Sequence, residues 1–244
     1  MFVGVDGCRV GWLAVLLNEN SNCKVDVFPD VFSLWNRYKS TLLILIDIPI
    51  GLRKRGNEER KCDKKARQLL GPRRSSSVFP APCRTAIYAE SYERANVINK
   101  KMTGRGLSLQ TWNIIPKIRE VDMLLSNDES ARLKVREIHP EICFWALAGY
   151  PMEHSKKRRE GLLERIQVLK SIYPHTDDII RQALSTYRRR EVARDDILDA
   201  LSAAVTAMVG VQKLVSISEE PEFDSRGLRM EIMHYPYCTK CKIM

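Results

Sequence analysis

Five carboxylates stand where apolar stretches of this 244-residue chain end. Asp6 closes Phe2-Val3-Gly4-Val5, and Asp47 interrupts an aliphatic run between Ile46 and Ile48. Glu137 ends a later alternating stretch. Asp196 and Asp199 lie three apart near the start of an Ala-rich amphipathic run, so they share one helix face. A carboxylate beside a core is costly unless it is paired, caps a helix or binds a cation. Several converging acids repel one another, and a divalent metal relieves that repulsion. Two such ions about 3.5–4 Å apart support in-line attack on a phosphodiester. Each acid also has a structural reading: Asp6 before Gly7 suits a turn, and Asp195 or Asp196 suits a helix N-cap. It is the whole set, in this order, that points to metal-assisted chemistry.

The elements that must position these acids are legible in the hydropathy pattern. Residues 2–6 and 11–17 read as two strands around a Gly-containing turn. Lys24–Phe28 alternates as a third strand. Pro29-Asp30 opens a helix through Tyr38, with Val31, Leu34 and Trp35 on one face. Thr41–Ile48 is aliphatic enough for a strand buried on both faces. The spacing then predicts helices over 57–70, 88–101 and 109–125, the last with Leu109, Trp112 and Ile115 inward. Arg132–Ile138 reads as a strand ended by His139-Pro140. Helices follow over 155–172, 177–190 and 195–209, then a last strand over 227–234. The fold class is α/β, in the order β-β-β-α-β … β-α.

Lys and Arg outnumber Asp and Glu by 40 to 30, a formal charge of +10 that favours polyanionic partners. Residues 53–74 hold ten basic and three acidic side chains, most of that excess. The apolar share of 44% excludes wholesale disorder. The longest aliphatic run, Leu42–Ile46, is far short of the roughly 20 residues of a spanning helix. With no basic leader before an apolar stretch and seven irregularly spaced cysteines, the expected location is the cytoplasm, with reduced thiols.

The order of elements and acids resembles the ribonuclease-H-like fold, in which acids on the first strand, the fourth strand and the last helix meet around Mg²⁺. The chain also carries GVDGCRVGW (4–12), IDIPIGL (46–52), CDKKARQLLGPRRSSSVFPAPCR (62–84), QTWNIIPKIREVD (110–122), EIHPEICFWALAG (137–149), SKKRREG (155–161), DDILDALSAAVTA (195–207) and DSRGLRMEIMHYP (224–236). In these stretches it resembles the domain of unknown function 429 family, a group of predicted nucleases with that fold. The resemblance implies a single domain over 1–244, with 53–131 a basic helical insertion between the fourth and fifth strands and 237–244 a tail. It implies Asp6, Asp47, Glu137, Asp196 and Asp199 as catalytic and metal-binding residues for Mg²⁺ or Mn²⁺. Arg73, Arg74, Ser75, Arg84 and Lys117 would bind substrate phosphates. Glu141 and His139 are auxiliary candidates, although a histidine beside Pro140 also suits a structural hydrogen bond.

The leading expectation is a metal-dependent nuclease acting on RNA or DNA. One alternative is a nucleotide-binding phosphotransferase or ATPase-like protein of the same fold core, with the Asp6–Gly11 hairpin around phosphates. The other is a non-catalytic nucleic-acid-binding protein. Cys238 and Cys241 form a lone CxxC near His234, best read as two free thiols, since a structural zinc needs four ligands. Lys156–Arg159 reads as a solvated helix start or an extension of a phosphate track.

Overall fold

In the computed structural model, which describes residues 1–18, 23–220 and 222–236, the first apolar runs pair as a meander. Strand β1 (Phe2–Cys8) lies antiparallel to β2 (Gly11–Leu17), and β2 lies antiparallel to β3 (Cys23–Phe28). Helix α1 (Val31–Tyr38) starts at Asp30, whose side chain accepts from the Ser33 N–H and caps it. It buries Val31, Leu34, Trp35 and Tyr38. The chain then enters β4 (Leu43–Ile46), parallel to β1.

The segment between β4 and β5 is helical: α2 (Lys61–Arg74), α3 (Arg84–Ile87), α4 (Tyr92–Thr103), α5 (Leu109–Asn127) and α6 (Glu129–Lys134). Helix α2 is interrupted at Gly71 (φ 64°), a left-handed conformation that glycine adopts at no steric cost, directly before Pro72. Strand β5 (Val135–Glu137) is parallel to β4 and completes a mixed five-stranded sheet of order β3-β2-β1-β4-β5. Helices α7 (Pro140–Ala148), α8 (Arg159–Ile172), α9 (Thr176–Thr186) and α10 (Arg194–Gly210) follow. Four two-residue strands end the described chain: β6 (Val215–Ser216) pairs with β9 (Met233–His234), and β7 (Glu222–Phe223) with β8 (Arg229–Met230).

Several boundaries differ from the sequence reading. Arg132–Lys134 is helical, because Asp128 caps a short helix by accepting from the Ala131 N–H; Leu133 is accordingly exposed. Residues 88–101 are not one helix, because Ser91 caps a new one at Tyr92. Residues 57–60 precede α2, and α9 stops at Thr186. Leu109, expected inward, is the exposed first residue of α5. The 227–234 strand is two short strands in separate pairs. The Cys238/Cys241 tail lies outside the described residues.

Strand side chains alternate between the two sheet faces. Val3, Val5, Ile44 and Ile46 pack with α1 and α5 on one face. Phe2 and Leu45 pack with Ala203 and Ala207 of α10 on the other. Gly4 lies on the α10 face, where a Cβ would stand 2.1 Å from both the Ala200 carbonyl oxygen and the Ala204 nitrogen. The missing side chain lets α10 rest directly on β1.

Candidate active site

That close approach sets the acidic site. Asp6 shares the Gly4 face of β1 by the two-residue period. Asp196 sits one helical turn before Ala200 and Asp199 one turn before Ala203, both against Gly4. In the parallel β1–β4 pair Val5 is opposite Ile46, and the Asp47 N–H donates to the Val5 carbonyl (2.9 Å). Asp47 therefore comes beside Asp6 at the same sheet end. A cavity of about 320 Å³ opens there, lined among others by Asp6, Asp47, Asp196, Lys117, His139 and Lys156.

The electrostatics are those of crowded, desolvated anions. Burial, then Asp47 and Asp199, hold the Asp6 carboxyl well above its usual range. Burial and the Asp199 charge push Asp47 up to about 8. Burial raises Asp199 despite the opposing Lys156 ammonium. Burial raises Asp196 to about 6, while its Oδ2 accepts from the Ala193 N–H (2.9 Å) and caps its own helix. Lys156 donates to Asp199 Oδ2 and lies 3.9 Å from Asp195. Burial works against its charge, but Asp199, Asp6 and Asp47 outweigh burial and raise its pKa. Asp199 Oδ1 is buried with no hydrogen-bond partner among the described residues.

Glu137 lines the same cavity from the opposite sheet face, and its charge adds to those that raise Asp47. It is opposite Ile46 in the β4–β5 register, which puts it on the face of Val5 and the insertion, while Ile138 joins the Phe2–Leu45 cluster beneath α10. There Arg60 grips both Glu137 oxygens (2.8 and 2.7 Å), and the Ile50 N–H donates a third bond (2.6 Å). Burial raises Glu137 to about 7 against the pull of Arg60. Glu137, expected as a metal ligand, reaches the cavity with both oxygens engaged by Arg60, which also pairs with Asp63. Glu141 pairs with the fully buried Arg165, and its second oxygen has no partner among the described residues. His139 lines the cavity with Nε2 3.3 Å from the Ser77 carbonyl and Nδ1 buried without a partner; burial lowers its pKa.

Of the five expected phosphate contacts, Lys117 reaches the cavity. Its stem packs where a Gly7 Cβ would stand, and Nζ donates to the Gly11 carbonyl (2.8 Å) beside the Trp12 ring. The other four do not line it. Arg84 is buried between Asp122 and Asp224, tying the insertion to the segment after β7. Arg74 donates to the Met152 and Glu153 carbonyls, and Arg73 is exposed. Ser75 opens a 3₁₀ turn whose last residue, Ser77, reaches the cavity in its place.

Two residues that matter most here escaped sequence reasoning. Lys156 lay in a basic run that reads as a solvated helix start, but α8 begins only at Arg159, leaving Lys156 in the preceding turn. Arg60 lay in another basic run and is buried. Both fall in or beside stretches quoted for the family resemblance, which is the signal that was present.

A family model described as "Protein of unknown function (DUF429)" matches residues 4–222. The chain belongs to this family. No curated protein and no solved structure matches it. The DUF429 match spans every acid that lines the cavity.

The donor chemistry fits a hard divalent cation: Asp6, Asp47 and Asp199 offer carboxylate oxygens, one of them an orphan. Among the described residues no three acidic, histidine or cysteine side chains stand arranged around a metal position. The Lys156 ammonium is the cation held against Asp199 instead.

Proposed function

We propose that this DUF429 chain is a metal-dependent phosphodiesterase acting on nucleic acid, with a ribonuclease-H-like core. The sheet order β3-β2-β1-β4-β5, with β1–β3 antiparallel and β4 and β5 parallel to β1, supports that core. The observation that carries the activity is the convergence of Asp6, Asp47 and Asp199, all with raised pKa values: Asp6 and Asp47 line one cavity, and Asp199 is held to it through Lys156 of the same lining. Such perturbed clusters mark functional sites, because a core built only for stability avoids them.

Asp6, Asp47 and Asp199 would hold Mg²⁺ or Mn²⁺, with Asp196 at the edge of the set. The bound ion supplies charge neutralisation and a nucleophile at neutral pH. Lys117 and Lys156 offer ammonium groups to phosphate oxygens. Glu137, through Arg60, fixes the β5 end of the cavity. His139, half-buried in the cavity wall with its pKa lowered by burial, can accept a proton at Nδ1, which has no partner among the described residues. The basic surface of the insertion favours a polyanionic ligand.

The test is cleavage of a labelled panel of single-stranded RNA and DNA, duplexes, hybrid and four-way junction with Mg²⁺ or Mn²⁺. Asp6→Asn and Asp47→Asn should each lower the rate by two orders of magnitude or more, roughly the scale for removal of a central electrostatic group. Cleavage retained in both variants would overturn the mechanism. The Lys156–Asp199 pair favours one second reading, a non-catalytic nucleic-acid binder whose acids are neutralised internally. That reading gains if oligonucleotides bind in a salt-dependent way and no panel member is cut.

A further inference from the structure

Beside the carboxylate cavity lies a second one of about 310 Å³, inside the insertion. The two share Arg60, Phe79 and Gln110 as walls. Their chemistry differs. In the second cavity every guanidinium is already neutralised: Arg60 by Asp63 and Glu137, Arg53 by Glu222, Arg105 by Glu59. Asn99 is occupied by the Cys83 N–H and the Arg105 carbonyl. Three groups remain unused: Phe79 and the exposed Gln110 on the shared wall, and the exposed Ser76 on the second cavity alone. The half-buried Phe79 ring packs on no other ring, and the Gln110 amide and Ser76 hydroxyl have no hydrogen-bond partner among the described residues. A free aromatic face beside a free amide suits a planar heterocycle that carries donors and acceptors on its edge.

We propose that this second cavity takes one unpaired nucleobase of the substrate, stacked on Phe79 and hydrogen-bonded by Gln110, while the adjoining phosphate lies at the carboxylates. The inference rests on the phosphodiesterase reading and narrows it. A base inside a continuous duplex is stacked on both faces and paired along its edge, so it cannot enter. The substrate is therefore single-stranded or locally opened nucleic acid.

Calorimetric titration of the full chain in Mn²⁺ with the four common nucleoside 5′-monophosphates, and with ribose 5-phosphate, tests this. At least one nucleotide should bind roughly tenfold more tightly than ribose 5-phosphate, the scale of a single base–aromatic stack. Phe79→Ala should erase that difference, and Phe79→Tyr should keep it. Gln110→Ala should narrow the spread among the four nucleotides. Thermal unfolding of each variant checks that the fold is kept. Equal binding of nucleotide and ribose 5-phosphate by the wild-type chain, or a difference that survives Phe79→Ala, overturns the base subsite alone. Failure of every phosphate ligand to bind overturns the phosphodiesterase reading and this inference together.

Discussion

Arg60 holds Glu137 through hydrogen bonds of 2.8 and 2.7 Å in a setting where both side chains are almost wholly buried. The same guanidinium pairs with Asp63 at 2.6 Å. One cation thus compensates two buried anions and joins the insertion to the end of β5. Removing it leaves both carboxylates desolvated and unpaired. Arg60→Met should cost about 3–5 kcal/mol, the scale for breaking a buried pair from one side. Glu137→Gln should cost less, because Asp63 keeps Arg60 neutralised and the amide can still accept. Urea denaturation of both variants checks the order. A Glu137→Gln variant as stable as wild type but inactive would place Glu137 in the metal set.

Gly4 is the contact that sets the distance between Asp6 and α10. A methyl group there would stand 2.1 Å from two backbone atoms of α10, and backbone cannot move aside as a flexible side chain can. Gly4→Ala should destabilise the chain by about 2–3 kcal/mol, or roughly 4–12 °C in melting temperature. It should also lower activity beyond what the residual folded fraction explains, since α10 must lift off β1 and carry Asp199 with it. A variant that melts with the wild type would show that the helix does not sit this close.

Most of the framework was legible because strand periodicity and helix caps are local. The β1–β2 hairpin, α1 and its Asp30 cap, the buried β4 and the α10 stripe all follow from runs of a few residues. The convergence of Asp6 with Asp47 followed from their places at strand ends. The face of Glu137 did not, because it depends on a one-residue difference in register between β4 and β5, which no local pattern records. Basic residues were the other failure. Composition gives Arg60, Arg84 and Lys156 the same weight as the exposed Arg73, but each of the three meets acids distant in sequence. Only the folded chain shows which cations are already committed.

Folding raises the carboxyls of this site, so the native chain binds protons that the unfolded chain has released. For Asp47 the window runs from the ordinary 3.8 to about 8, and Asp196, raised to about 6, adds to it in the same direction. This contribution is complete below the ordinary carboxylate range and is lost as pH rises through about 8. In a metal chelator, melting temperature should therefore fall between pH 6 and 9. Asp47→Asn should flatten that fall and make the chain more stable at pH 9 by about 0.5–2 kcal/mol, the usual gain when a strained functional group is removed. Other carboxyls titrate too, so the decisive quantity is the difference between wild type and variant. Parallel pH profiles for the two would refute the prediction.

Lys156 is the cation already at the acids, and a divalent ion must compete with it for Asp199. Replacing it with methionine removes the competitor and leaves Asp199 without its ammonium donor. Without metal, Lys156→Met should be less stable than wild type at pH 8 by about 1–3 kcal/mol, the cost of stripping a partner from a buried acceptor. With Mn²⁺ the order of response should invert. The ion stabilises the native state by mass action according to its affinity, so the Mn²⁺-induced rise in melting temperature should be larger in the variant. Activity should still fall, because a phosphate contact is lost with the ammonium. If Mn²⁺ raises both melting temperatures equally, Lys156 and the ion do not share Asp199. If Mn²⁺ raises neither, the acids do not take the ion even with the competing ammonium gone, and the binder reading takes precedence.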